Sequence, residues 1–209
     1  MFRYPDKPMR ISLDELCTPR YHDGKWVAQV KEDGWRAVPE ADENGHFPQV
    51  VSRRNKVMAV SQEILDGLSA AGVPPGSILD GKWMKYRAGS TERLYLFDSM
   101  RFGDAWQINV PYEERRKWLY DINWAAATSD LIRTPRETTT DILEFLLECM
   151  DDEDAEGIVL KKLTSRLKGK WNDCAINPLW VKIKWRDGAD GQHVMFTEED
   201  VRAKIALVA

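Results

Sequence analysis

Three short stretches of this sequence hold residues able to do chemistry. The first is Lys31-Glu32-Asp33-Gly34-Trp35-Arg36. The strand-like run Trp26–Lys31 ends in the lysine, and Asp33-Gly34 is a turn signal that sends the chain back. A lysine at the mouth of a sheet, with Arg36 returning beside it, is placed to act as a nucleophile. It must first lose its proton, since a free lysine has a pKa of about 10.4. Partial burial and neighbouring cations both favour that loss. The second stretch is Glu156-Gly157-Ile158-Val159-Leu160-Lys161. Strand alternation puts Glu156, Ile158 and Leu160 on one face, so a carboxylate able to hold a metal would stand beside an aliphatic platform for a flat base. The third is Trp180-Val181-Lys182-Ile183-Lys184. Alternation aligns Lys182 and Lys184, which repel each other unless phosphates or carboxylates lie nearby. Taken singly, the three read equally well as a hairpin, a buried strand with charged ends and an amphipathic edge strand.

Two further pieces fit the same scheme. Ser52-Arg53-Arg54-Asn55-Lys56 is a basic strand-to-turn in which Asn55 can adopt a left-handed conformation. Leu94-Tyr95-Leu96-Phe97-Asp98 is an apolar strand whose Phe97 is either core or a stacking platform. Net charge is −4. Yet Lys161, Lys162, Arg166, Lys168, Lys170, Lys182, Lys184 and Arg186 follow one another with only Asp173 among them, directly after Asp151-Asp152-Glu153-Asp154. A basic stretch on an acidic body can track phosphates. A solvated charged face has the same composition.

The elements that must position these residues are short. Strand-like runs cover Trp26–Lys31, Gln49–Arg53, Ser77–Met84, Glu92–Asp98, Glu156–Lys161 and Leu179–Lys184. Turn signals separate them, among them Glu43-Asn44-Gly45, Pro74-Pro75-Gly76 and Ala88-Gly89. Helical periodicity fits Ser61–Ala71, Tyr112–Ala126, Thr138–Met150 and Thr197–Val208. Strands do not alternate regularly with helices, which predicts an α+β fold with antiparallel sheets. No glycine-rich phosphate loop is present, so side chains would have to hold phosphate. The 209 residues, 43% hydrophobic and 31% charged, have an ordinary globular balance. The first residues, Met1-Phe2-Arg3-Tyr4-Pro5, do not read as a signal peptide. Three scattered cysteines (Cys17, Cys149, Cys174) predict a reducing compartment, the cytoplasm, which includes a host's in the case of a phage protein.

In chain order the fragments read Lys-x-Asp-Gly-x-Arg, Ser-Arg, Leu-Asp-Gly, Phe-Asp, Glu-Gly-Ile-Val-x-Lys and Trp-x-Lys-x-Lys, from Lys31 to Lys184, about three quarters of the chain. This ordered set resembles the nucleotidyltransferase (adenylation) domain of the ATP-dependent DNA ligases, within the wider group of RNA ligases and capping enzymes. The resemblance implies an ATP-grasp-like domain with antiparallel sheets flanked by helices over residues 1–186, and a tail with a helix over 187–209. It implies ATP and Mg2+ (or Mn2+) as cofactors, and nicked duplex DNA, or RNA, as partner. Lys31 becomes the nucleophile that takes AMP as a phosphoramidate. Gln29 and Val30 precede it at the adenine, and Arg36 contacts the ribose or the strand. Phe97 and Ile158 sandwich the base, Glu156 binds the metal, and Lys182 and Lys184 hold the α-phosphate. Arg53 approaches the 5′-phosphate of the nick, with Arg54, Lys56 and Lys82 as further strand contacts.

Two departures stand out. The pattern has a glutamate after Leu-Asp-Gly, whereas here Leu79-Asp80-Gly81 is followed by Lys82. Lys82 then either meets phosphate, with Asp80 taking part of the acidic role, or marks a weakened enzyme. The residues after Lys184 are also too few for the OB domain of most relatives, which predicts a minimal ligase, a domain of a longer protein, or dependence on a partner. The alternatives are an RNA ligase of the same chemistry and a nucleotide- or nucleic-acid-binding module that has lost turnover.

Overall fold

A computed structural model describes residues 5–84, 91–122, 124, 130–168, 175–187 and 193–208. Met1 to Tyr4, Lys85-Tyr86-Arg87, the turn at Ala88-Gly89, most of the predicted helix beyond Ile122, and Lys170, Asp173 and Cys174 lie outside them. The strands are β1 (Lys7–Arg10), β2 (Trp26–Glu32), β3 (Trp35–Pro39), β4 (Val50–Ser52), β5 (Ile78–Met84), β6 (Arg93–Phe102), β7 (Ala105–Trp106), β8 (Ile132–Arg133), β9 (Glu137–Thr138), β10 (Ala155–Lys162), β11 (Ile176–Lys184), β12 (Arg186–Asp187) and β13 (His193–Val194). The helices are α1 (Leu13–Leu16), α2 (Gln62–Ala70), α3 (Tyr112–Asp121), α4 (Ile142–Met150) and α5 (Glu198–Val208). They fall into two compact units that share the chain, one made of Met1–Asp6, Gly34–Pro135 and Arg166–Ala175, the other of Lys7–Asp33, Arg136–Ser165 and Ile176–Ala209.

The second unit carries Lys31. Its sheet runs β1-β11-β10-β2-β9, antiparallel except for the β1–β11 pair. One face is apolar: Ala28 and Val30, Ile158 and Leu160, and Val181 and Ile183 are buried there. Helix α4 covers them with Ile142, Leu143, Leu146 and Cys149, the stripe its 3.6-residue period dictates. Helix α5 joins the same core through Val201 and Ile205, so residues on both sides of position 186 belong to one unit. Thr197 caps α5: its hydroxyl accepts from the Asp200 amide at 3.3 Å, and Asp200 accepts from the Thr197 amide at 2.7 Å. Helix α4 starts four residues later than its sequence period predicts. Thr138 is a strand residue opposite Ala28, and Asp141 is left-handed at φ 48°, so the chain cannot be helical before Ile142.

The first unit is built on the sheet β4-β3-β5-β6-β7, with β8 joined parallel to β6. Ala37, Leu79, Trp83, Leu94 and Leu96 line its core face against Ile64 and Leu68 of α2 and Leu119 of α3. The Asp33-Gly34 turn does not close a hairpin as the sequence predicts. Strand β2 pairs with β10 and β9 while β3 pairs with β4 and β5, so the turn passes the chain from one sheet to the next. Gly34 is required at that point because a Cβ there would meet the Trp83 carbonyl at 2.5 Å.

Candidate functional site

In the second unit, chemistry gathers on the sheet face opposite the apolar one. Gly157 pairs with Lys31 on one side and Lys184 on the other. The two lysines thus stand in one row across three strands with no side chain between them. Glu156 fills the gap: its carboxylate contacts Lys31 Nζ through Oε1 and accepts from Lys184 Nζ at 2.7 Å through Oε2. All three side chains are mostly buried. The shared carboxylate supplies the counter-charge that two aligned lysines need.

The strand alternation that groups Glu156 with Ile158 and Leu160 fails for a physical reason. Ala155 pairs with Glu32 and Gly157 with Lys31, leaving Glu156 as the extra residue of a β-bulge. The bulge turns Glu156 onto the lysine face, while Ile158 remains on the core face, fully buried against Val30 and Ile183. Ile158 therefore cannot offer a platform to a base, and Val30 likewise points its side chain into the core. The aliphatic residue on the lysine face is Val159, in the next row between Gln29 and Lys182. A glycine inside a strand is a bulge signal, and Gly157 was the sequence cue for this displacement. Gln29 is buried, and its amide donates to Glu137 at 3.0 Å.

Gly157 is itself fixed by packing, since a Cβ there would lie 2.1 Å from the Ile183 carbonyl. Gly157→Ala is expected to push β10 off β11 and cost at least the roughly 1–3 kcal/mol typical of overpacking, read as a lowered denaturation midpoint. A second anchor of the bulge is Arg186. Its guanidinium donates to the Glu153 carbonyl and, at 2.6 Å, to the Ala155 carbonyl, in the segment that leads into the displaced glutamate. The run from Lys161 to Arg186 is consequently not one phosphate-tracking face. Lys161 is buried with its ammonium 4.5 Å from the Trp180 ring centroid, Arg186 holds backbone, and Lys184 holds Glu156. Exposed cations of that run, among the described residues, are Arg166 and Lys168.

In the first unit, Arg36 pairs with the Asp80 carboxylate through two nitrogens, and its Nη2 also donates to the Asp6 carbonyl at 2.9 Å. The guanidinium lies 5.1 Å from the Phe97 ring centroid, and Phe97 is half-buried. Lys82 is the direct cross-strand neighbour of Arg36, on the face that carries Asp80. The cation that replaces the expected glutamate therefore stands inside this cluster. Behind it, Asp98 takes two bonds from Arg115, at 2.8 and 3.1 Å, and both side chains are buried. Burial alone would push the Arg115 guanidinium towards neutrality. The adjacent Asp98 carboxylate outweighs that and holds it above its ordinary range. Tyr112 of the same helix donates to the Phe97 carbonyl at 3.1 Å, so α3 holds the middle of β6 at two successive residues. The basic turn after β4 has the expected form: Asn55 is left-handed at φ 56°, and Arg53, Arg54 and Lys56 are exposed.

No three His, Cys, Asp or Glu side chains converge as a metal cluster among the described residues. Glu156 fits a magnesium-type ion as one ligand beside phosphate oxygens, the usual way such an ion is held in nucleotide sites.

The fold is shared with solved ligase domains of ATP-dependent DNA ligases. No protein-family model matches the chain, and no curated protein does. Solved structures match throughout most of its length. The ligase domain of LigD from M. tuberculosis superposes with a TM-score of 0.65 at 20% identity, over 88% of this chain and 60% of that one. A mycobacterial DNA ligase D complexed with ATP and MES gives 0.65 at 19%, over 88% and 61%. A minimal Lig E DNA ligase gives 0.57 at 13%, over 97% and 88%. The chain thus spans about three fifths of the two mycobacterial ligase structures.

Proposed function

We propose that this chain is an ATP-dependent polynucleotide ligase that seals nicks in DNA through a lysyl-AMP intermediate on Lys31. One observation carries the reading: Lys31 and Lys184 flank Gly157 in a single row, bridged by Glu156, on a ligase-domain fold. In the first step the neutral Lys31 amine attacks the α-phosphorus of ATP. An N–P bond forms, the P–O bond to the β-phosphate breaks and pyrophosphate leaves. Glu156, in contact with Nζ, is positioned to take the proton that the ammonium must shed. Lys184 and Lys182 then stand ready for the α-phosphate, where fixed positive charge stabilises the charge that develops. A magnesium or manganese ion held by Glu156 and phosphate oxygens would supply further neutralisation of the triphosphate. In the second step an oxygen of the 5′-phosphate displaces Lys31 from the AMP phosphorus. In the third the 3′-hydroxyl attacks the 5′-phosphorus, joins the strands and releases AMP. Val159 takes the platform role that the sequence resemblance gave to Ile158. Phe97 and Arg36 belong to the first unit, where the guanidinium lies 5.1 Å from the ring centroid, and base and ribose are the roles that the sequence resemblance proposes for them. No helix among the described residues is long and apolar enough to cross a membrane. The free thiols Cys17 and Cys149 suit the proposed cytoplasmic setting.

Arg53, Arg54, Lys56 and Lys82 are the proposed strand contacts. Lys82 also favours a second reading, a binding module of the same fold with weakened turnover. Lys82→Glu separates the two. A glutamate opposite Arg36 replaces a like-charge cross-strand pair with an opposite one, worth about 0.2–1 kcal/mol of added stability. Nick sealing is expected to fall more than self-adenylation, because the substitution puts negative charge where the strand would lie. A rise in both steps would make Lys82 a defect and the chain a weakened enzyme. Sealing of nicked DNA against nicked RNA decides the substrate.

A further inference from the structure

The largest aromatic side chain left open near the basic turn is Trp35, which is 58% exposed. A single exposed aromatic is ordinary on a protein surface. Its setting is not. Trp35 rests on Trp83, with ring centroids 5.7 Å apart, and Trp83 is buried with its indole N–H on the Glu92 carboxylate. Trp35 is therefore propped on a fixed partner with much of its own surface open to solvent. It opens β3 at the end of the sheet where β4 stops. Ala37, two residues on, pairs with Ser52, the last residue of β4. From Ser52 the basic turn projects at that same end. The turn is held by the Ser52 amide on the Lys56 carbonyl at 2.8 Å, and by the Ser52 hydroxyl, which accepts from the amides of Arg54 at 3.3 Å and Lys56 at 3.2 Å. One end of one sheet thus presents an indole and three exposed cations, Arg53, Arg54 and Lys56.

We infer that this sheet end recognises a strand break: Trp35 stacks on the base face uncovered at the break, and Arg53, Arg54 and Lys56 hold the flanking phosphates. The inference rests on the reading of the chain as a protein that acts at nicks. In a continuous duplex every base face is covered by its neighbour and the backbone holds the pair together; at a nick the two flanking bases are free to part, and a gap or end leaves a face open. The internal phosphates that flank the break are alike in both. The indole therefore contributes selectivity for the break, whereas the cations contribute affinity for either form.

The test measures binding of one duplex, nicked and intact, by the wild type, Trp35→Ala, Trp35→Phe and Arg54→Ala, each checked for folding by circular dichroism. Trp35→Ala is expected to weaken binding of the nicked duplex about tenfold or more and that of the intact duplex little. Trp35→Phe keeps most of the preference. Arg54→Ala weakens both and lowers the log–log salt slope by about 0.9. Equal losses on the two duplexes, no loss on the nicked one, or a wild type without preference for the nick overturns the inference. Labelling by ATP is read on the same samples. A wild type that prefers the nick but takes up no AMP contradicts the ligase reading and leaves the recognition surface standing.

Discussion

Lys31→Ala is expected to abolish covalent labelling by ATP, with nick sealing lost in parallel and the fold retained. Lys184, in the same row, does not stand in for the missing amine, because its ammonium is committed to the carboxylate that Lys31 also uses. Loss of the nucleophile removes the covalent route altogether, so the residual rate is that of the uncatalysed reaction rather than a fraction of the wild-type rate. Stability should change little or rise slightly. Removing Lys31 leaves Glu156 paired with Lys184, so no buried charge is stranded. A melting temperature close to that of the wild type, together with absent labelling, distinguishes this outcome from unfolding. A pre-adenylated nick supplied to Lys31→Ala sharpens the test, since the last step needs no lysine nucleophile and sealing of that substrate should persist.

The second large effect is on stability. Arg115→Ala is expected to destabilise the protein by about 3–5 kcal/mol, because it strands the Asp98 carboxylate in a dry interior. That is a large part of the roughly 5–15 kcal/mol that holds a domain folded. The substitution also removes the bond to the Val110 carbonyl, made at 2.6 Å, and loosens α3 from the middle of β6, where Phe97 and Asp98 lie. Arg115→Met together with Asp98→Leu should recover much of the loss, since an apolar pair of similar volume removes both desolvation costs. Chemical denaturation of the two variants decides it. A single variant as stable as the wild type would mean that water reaches Asp98 and that the pair is not structural.

The predicted strands were legible because apolar runs bounded by Gly, Pro and Asn turns leave little choice. Their partners were not. Whether Asp33-Gly34 closes a hairpin or links two sheets depends on pairing with strands more than forty residues away, as in Arg36 opposite Lys82. Lys31, Glu156 and Lys184 were nameable as chemical types, but their meeting depends on the bulge at Glu156, a one-residue displacement that separates Glu156 from the face of Ile158 and Leu160, while the alternation of Lys182 and Lys184 holds. Val159 was hidden for that reason. Arg115 was hidden for another: it is a charged residue on the buried stripe of α3, and its partner lies 17 residues earlier on a different element. The overlap of Lys161 with Trp180 likewise turns an apparent surface cation into an interior one.

The most direct test of the central claim is the intact mass of the wild-type protein after incubation with ATP and magnesium, followed by peptide mapping. The account predicts a gain of one AMP, stable to base and released by acid as a phosphoramidate should be, on the peptide that contains Lys31. An unchanged mass, or AMP mapped to any other lysine, would contradict it.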